Sequence, residues 1–275
     1  MQQDSLKPKK RSKLRIFLGR NYYTLKKNLY WTFGDEKYAK TKEATPFRYT
    51  YINHSTPLLR QLKDVEMYLQ YNKITNLKIA INEINDIIIQ PGETFSYWKL
   101  IGKPTKRKGY KEGIILFEGA FKPGMGGGLC QLSNLIYWMT IHTPLTIIER
   151  YRHSYDVFPD SNRVLPFGSG ATCFYNYRDL VIRNDTTSPV QLKLWLTDSM
   201  LCGSWRTNVE PVETYKVYEK DHFMKKELFG KYSRHNTIYR KVYDMDGNEV
   251  ADEYVTENHA LMMYEPFLED TKYSL

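Results

Sequence analysis

Cys130 follows four glycines in the stretch Gly124-Met125-Gly126-Gly127-Gly128-Leu129-Cys130-Gln131, and it opens a run in which Leu129, Leu132, Leu135, Ile136 and Met139 recur at helical spacing. The run stops at Thr143-Pro144, so the spacing predicts a helix from near Leu129 to near His142 with Cys130 in its first turn. There, unpaired backbone N–H groups and the positive end of the helix dipole favour thiolate over thiol, and thiolate is the nucleophile. The expectation is a depressed pKa at Cys130, unlike Cys173 and Cys202. Glycines just before the helix let the main chain approach a bound carbonyl, which makes the Gly127 and Gly128 backbone, with Gln131, candidate donors to a developing oxyanion. The same letters have other uses, because free cysteines also serve as small buried hydrophobes and glycine-rich turns also serve packing. A phosphate loop would end in Gly-Lys-Ser/Thr, which this run lacks.

A cysteine nucleophile needs a base to take its proton and later to activate the acceptor. His153 is the candidate. It lies 23 residues after Cys130, separated by one helix and one returning strand, which brings the two to the same end of a sheet. Asp179 and Asp156 are candidates to orient the imidazole. Arg150 and Arg152 have the fork geometry to bind a substrate carboxylate, and they read equally well as solvated loop charge. The six histidines form no HExxH and the three cysteines no CxxC, so no metal, cofactor or disulfide framework is expected, and a reducing compartment fits.

The surrounding elements read as α+β, a sheet-rich body with one central helix bearing the cysteine at its N-terminus, N-terminal helices, and a C-terminal β appendage. Thr56-Pro57 reads as the cap and first turn of a helix carrying Leu58, Leu62, Val65 and Leu69 on one face. From Leu77 the period becomes two, with Ile79, Ile81, Ile84 and Ile87 to Ile89 as strand, then Gln90-Pro91-Gly92-Glu93 as a turn. Strands are expected at Leu145 to Glu149, Ala171 to Tyr177, Asp179 to Arg183 and Val190 to Leu196. Beyond Asn208, Thr214 to Tyr218, Thr237 to Tyr243 and Glu249 to Val255 read as exposed strands, with Asp246-Gly247 as a hairpin turn. The organisation is a basic arm and helix over 1–40, a body over 45–205 and a β-rich extension over 206–275.

The net charge of +9 is concentrated in the arm: residues 1–33 hold nine Lys/Arg against Asp4 alone, which leaves the rest of the 275-residue chain at +1. These cations alternate with Leu14, Ile16, Phe17, Leu18, Tyr22, Tyr23, Leu25, Leu29, Tyr30, Trp31 and Phe33, a composition suited to an anionic membrane surface. No nucleic-acid fold signature accompanies the charge, so nucleic acid is not an expected partner. No apolar run of about 7–15 residues follows the first cations and none approaches a bilayer span, so the expected location is the cytoplasm, peripheral on the inner membrane face.

With these segments in place, the chain resembles the VanW family. The resemblance is carried by Pro91-Gly92-Glu93-Thr94-Phe95-Ser96, Gly109-Tyr110, Gly126 through Ser133, Glu149-Arg150, His153-Ser154, Gly168 through Thr172, and Asp179-Leu180 leading to Arg183-Asn184, in family order over about residues 90 to 190. Some exported members carry this domain as an L,D-transpeptidase, in which the cysteine of the GGGxCQ core attacks a peptidoglycan stem peptide and passes the acyl group to an amine. The resemblance implies Cys130 as the corresponding nucleophile, a stem peptide or lipid-linked precursor as partner, and an association with glycopeptide resistance. The alternative is a non-catalytic accessory protein that binds precursors or resistance enzymes. One departure from the pattern is Gly170, where many members carry an aspartate.

Overall fold

The computed structural model describes residues 12–59, 66–117, 119–157 and 165–266. In chain order, helix α1 (Lys13–Phe33) leads to strand β1 (Tyr49–Pro57), helix α2 (Met67–Ile84), strands β2 (Ile88–Ile89) and β3 (Thr94–Ser96), and the short helix α3 (Tyr97–Ile101). The hairpin of β4 (Glu112–Phe117) and β5 (Ala120–Met125) precedes helix α4 (Cys130–Thr140). Then come β6 (Thr146–Glu149), β7 (Tyr155–Asp156), β8 (Val181–Arg183), β9 (Val190–Leu196) and β10 (Met200–Thr207). Three long strands, β11 (Thr214–Lys226), β12 (Tyr232–Tyr243) and β13 (Glu249–Met262), complete a sheet-rich α+β fold.

Helix α4 is the centre because it is apolar nearly all round: Leu132, Leu135, Ile136, Tyr137, Trp138 and Met139 are all buried. Against it lies the antiparallel sheet ordered β1-β10-β9-β2, whose Trp205 is fully buried and donates its indole N–H to Thr140 Oγ1 at 3.1 Å. A second, three-stranded sheet is ordered β3-β8-β6. The C-terminal strands form β11-β12-β13, and β7 of the body pairs in parallel with the β13 edge, so this sheet is stitched to the body by main-chain bonds. Arg240 adds a side-chain tie, donating to the Thr143 carbonyl at 2.7 Å.

Several expected elements fall where the pattern puts them. Helix α1 ends at Phe33-Gly34, the Gln90 to Glu93 turn closes with the Glu93 N–H on the Gln90 carbonyl at 2.9 Å, and β9 spans Val190–Leu196. Others do not. Thr56-Pro57 ends β1 instead of starting a helix; Leu62 and Val65 lie outside the described residues. The stretch from Leu77 to Ile84, read as strand, is the second half of α2, which buries Leu69, Lys73, Leu77, Ala80, Ile81 and Ile84 at three- and four-residue spacing. β-branched isoleucines suggested period two, but propensity is a weak force beside a buried helical face. Residues 171 to 177 form no strand. Their polar groups go elsewhere, with Ala171 N–H on Asn134 Oδ1, Thr172 N–H on the Tyr151 carbonyl, and Phe174 closing a tight turn with Arg178.

Candidate functional site

The glycines before Cys130 serve this protein's own packing. A Cβ on Gly127 would lie 2.1 Å from the Gly113 carbonyl carbon, because β4 runs backbone to backbone against the loop. Gly128 has φ +91°, and a Cβ there would meet Lys73 Cγ at 2.1 Å. Buried Asn76 clamps the same loop, its Nδ2 donating to the Gly127 carbonyl at 2.9 Å. The N–H groups expected as oxyanion donors are spent inside the protein. Gly127 donates to Gly124, Gly128 to Ile114 and Gln131 to Gly128, and both N–H groups of the Gln131 side chain are taken by Thr56 Oγ1 (2.9 Å) and the Pro57 carbonyl (2.8 Å). The backbone N–H groups of Leu129 and Cys130 meet no acceptor among the described residues, and these are the orphan donors of the helix start.

Cys130 itself is half-buried, and its Sγ donates to the Cys173 carbonyl at 3.7 Å. Burial pushes its thiol above the ordinary value, opposite to the depressed pKa expected from its position. The magnitudes explain the reversal. A helix N-terminus offers an anion about 0.3–1 kcal/mol, less than one pKa unit, whereas desolvation shifts buried groups by several. Cys173 is pushed higher still by burial, with the charge of Asp179 adding to it.

His153 is held at both nitrogens. Asn134 Oδ1 accepts the Ala171 N–H at 2.8 Å, which fixes the amide's orientation, so His153 Nε2, 3.3 Å from the same oxygen, must be the protonated nitrogen. Nδ1 is then an acceptor for the Thr172 hydroxyl at 2.8 Å. No hydrogen bond joins His153 to Cys130; the two converge instead on the segment Ala171 to Cys173, one through Thr172 and the other through the Cys173 carbonyl. Asn134 also stands where the departure at Gly170 leaves room, since a Cβ on Gly170 would lie 2.5 Å from Asn134 Oδ1 and 3.2 Å from His153 Nε2. The sequence does not single out Asn134, and it marks Thr172 only as the end of the Gly168 to Thr172 segment, with no role attached. Asn134 follows Cys130 by four residues on α4, a same-face spacing that could have flagged it.

Neither aspartate proposed as an orienter bonds the ring. Asp179 is fully buried beneath α3, where its carboxylate accepts from Ser96 Oγ (2.6 Å), Trp98 N–H (3.0 Å) and Leu180 N–H (2.9 Å). Asp156 accepts from the Tyr264 hydroxyl at 2.8 Å and pairs with Arg234.

Burial, with the charges of Arg150 and Arg178, lowers the His153 pKa to about 4. The folded value lies below the ordinary 6.5, so the unfolded chain takes the proton first and stability falls as pH drops from 6.5 toward 4. Between about pH 7 and about pH 5 the loss from this group should be on the order of 2 kcal/mol. His153→Gln should remove that part of the slope in urea-unfolding midpoints; an unchanged slope would show the ring to be ordinary.

The two arginines part company. Arg150 donates from Nε to the Gly170 carbonyl (2.9 Å), from Nη2 to the Gly168 carbonyl (2.6 Å) and Asn258 Oδ1 (2.9 Å), and from Nη1 to Thr256 Oγ1 (3.1 Å), and its guanidinium sits over Tyr137. It is a staple between the Gly168–Gly170 loop and β13. Arg152 is exposed and has no hydrogen-bond or ion-pair partner among the described residues. Both line an open cleft of about 370 Å³ with Tyr137, Ile147, Val255, Thr256 and Glu257. Among the described residues no three His, Cys, Asp or Glu side chains come together to hold a metal.

Fold and site together define a sheet-rich α+β protein built round one buried helix that begins on a half-buried cysteine. The chain belongs to the VanW family: the family model described as VanW like protein matches residues 72–206, from within α2 into β10. It is 36% identical over 180 residues to the vancomycin B-type resistance protein VanW of Enterococcus faecalis, covering 66% of this chain and 66% of that one. It is 30% identical over 118 residues to the uncharacterized protein YoaR of Bacillus subtilis, covering 43% of this chain and 37% of that one. No solved structure matches.

Proposed function

We propose that this protein is a cysteine acyltransferase acting on peptidoglycan stem peptides or their lipid-linked precursors, in support of glycopeptide resistance and at the cytoplasmic side of the membrane. The observation that carries the reading is the start of α4, where a half-buried thiol stands beside two unspent backbone N–H groups, Leu129 and Cys130. An acyl carbonyl placed there would have its oxygen polarised by those donors while Sγ attacks its carbon. His153, fixed by Asn134, keeps Nδ1 as the nitrogen that can take a proton, and the Thr172 hydroxyl that bonds it is next in the chain to Cys173, whose carbonyl accepts the Cys130 thiol. Burial makes this a weak base, so proton transfer has to accompany the attack on the carbonyl rather than precede it. The thiol proton goes to the imidazole as the S–C bond forms, and it leaves with the departing amine. The acceptor amine reverses these steps. Arg152 supplies a free cation for a stem-peptide carboxylate.

The raised thiol pKa and the absent Cys130 to His153 bond favour a second reading, an accessory protein that binds the precursor without chemistry. One variant separates the two. With a stem-peptide donor and an amine acceptor, Cys130→Ala should lose transfer by about a thousandfold or more while keeping its melting temperature and donor binding. Undetectable transfer by the wild-type protein, with the donor bound equally by both, would leave the accessory reading standing.

A further inference from the structure

Helix α1 is fastened to the body along one edge. Lys27 Nζ donates to Glu149 Oε2 at 2.5 Å and lies 3.5 Å from Asp179 Oδ2; Asn28 Oδ1 accepts from Asn176 Nδ2 at 2.8 Å; the Trp31 carbonyl accepts from Lys99 Nζ at 2.9 Å. The other side is unpartnered. Leu14, Leu18, Tyr22, Leu25, Leu29 and Phe33 follow one another at intervals of four, four, three, four and four, which stacks them into one stripe roughly opposite Lys27 and Trp31. All six are exposed, from Leu29 at 48% to Phe33 at 79%. The helix has no acidic residue and carries Lys13, Arg15, Arg20, Lys26 and Lys27, with Arg15 and Lys26 bordering the stripe.

An apolar seam of this spacing fits either a second helix or the headgroup region of a bilayer, and charge decides between them. A second copy would set one wholly cationic helix against another with no acid on either to offset it. An anionic lipid surface accepts both the apolar stripe and its cationic border. We propose that α1 seats this stripe in an anionic bilayer while its opposite edge stays clamped on Glu149 and Asp179. Composition pointed to the arm as a whole; the fold picks out this stripe as the long continuous row, with Phe17, Tyr23 and Tyr30 exposed outside it. It leaves the Lys27 to Trp31 edge holding the loop of residues 173 to 178, which begins with the carbonyl that accepts the Cys130 thiol. The proposal stands apart from whether Cys130 is a nucleophile.

The test is co-sedimentation of the full chain with vesicles at low ionic strength, together with sedimentation velocity in their absence. Wild type should bind mixed phosphatidylglycerol–phosphatidylcholine vesicles, bind pure phosphatidylcholine far less, and come off as salt rises. Leu18→Asn with Leu25→Asn should cut binding about tenfold or more, whereas Tyr23→Asn, exposed but off the stripe, should leave it near wild type. All these residues are exposed, so circular dichroism should be unchanged. Equal binding to neutral vesicles, no binding, or stripe variants that bind like wild type would overturn the proposal. So would a wild-type dimer that the stripe variant dissolves, which would make the occupant a second copy.

Discussion

Asp179→Ala should destabilise the protein by about 3–5 kcal/mol, enough to leave little folded material. The carboxylate is fully buried and is the acceptor for the Ser96 hydroxyl and for the N–H groups of Trp98 and Leu180; Lys27 reaches it from α1. Removing it orphans three buried donors and leaves a half-buried lysine with Glu149 alone. Burial holds the Asp179 pKa above its ordinary value despite Lys27, so ionising it inside the fold is itself costly. Asp179→Asn, neutral and close in shape, should therefore recover part of the loss. Urea-unfolding midpoints of the three proteins check the order; an alanine variant within about 0.5 kcal/mol of wild type would contradict the structural role assigned here.

A second large effect separates two arginines that stand two residues apart. Arg150→Ala removes four hydrogen bonds and a stacked guanidinium from between the Gly168–Gly170 loop and β13, and it should cost about 3–5 kcal/mol. Arg152→Ala touches none of these and should stay within about 0.5 kcal/mol of wild type. If Arg152 binds a donor carboxylate, its loss should appear as a raised KM with kcat little changed. Equal stability costs for the two variants would erase the distinction between staple and ligand.

Much of this was legible in the chain. The apolar spacing after Cys130 defines α4, and the Gln90 to Glu93 and Asp246-Gly247 turns fall as their residue types require. What escaped the sequence are features set by partners distant along the chain. Gly127 is a glycine because Gly113 of β4 presses on it, and nothing local says so. Asp179 follows His153 by 26 residues and is one of the segments that carry the family resemblance, yet it is consumed by Ser96 and Trp98, more than eighty residues earlier. The Cys130 pKa followed the same logic. The helix start was visible from residue types, but the packing that outweighs it was not. Isoleucine-rich α2 misled for the opposite reason, because its β-branched composition was local and its burial against the hairpin was not.

The central claim is that Cys130 carries an acyl group. Full-length protein incubated with a lipid-linked precursor, in the absence of acceptor amine, should gain the mass of the stem-peptide acyl fragment on the peptide containing Cys130. That mass should disappear when an amine is added, and it should be missing from Cys130→Ala. An unmodified Cys130 under conditions in which the precursor is demonstrably bound would contradict the account.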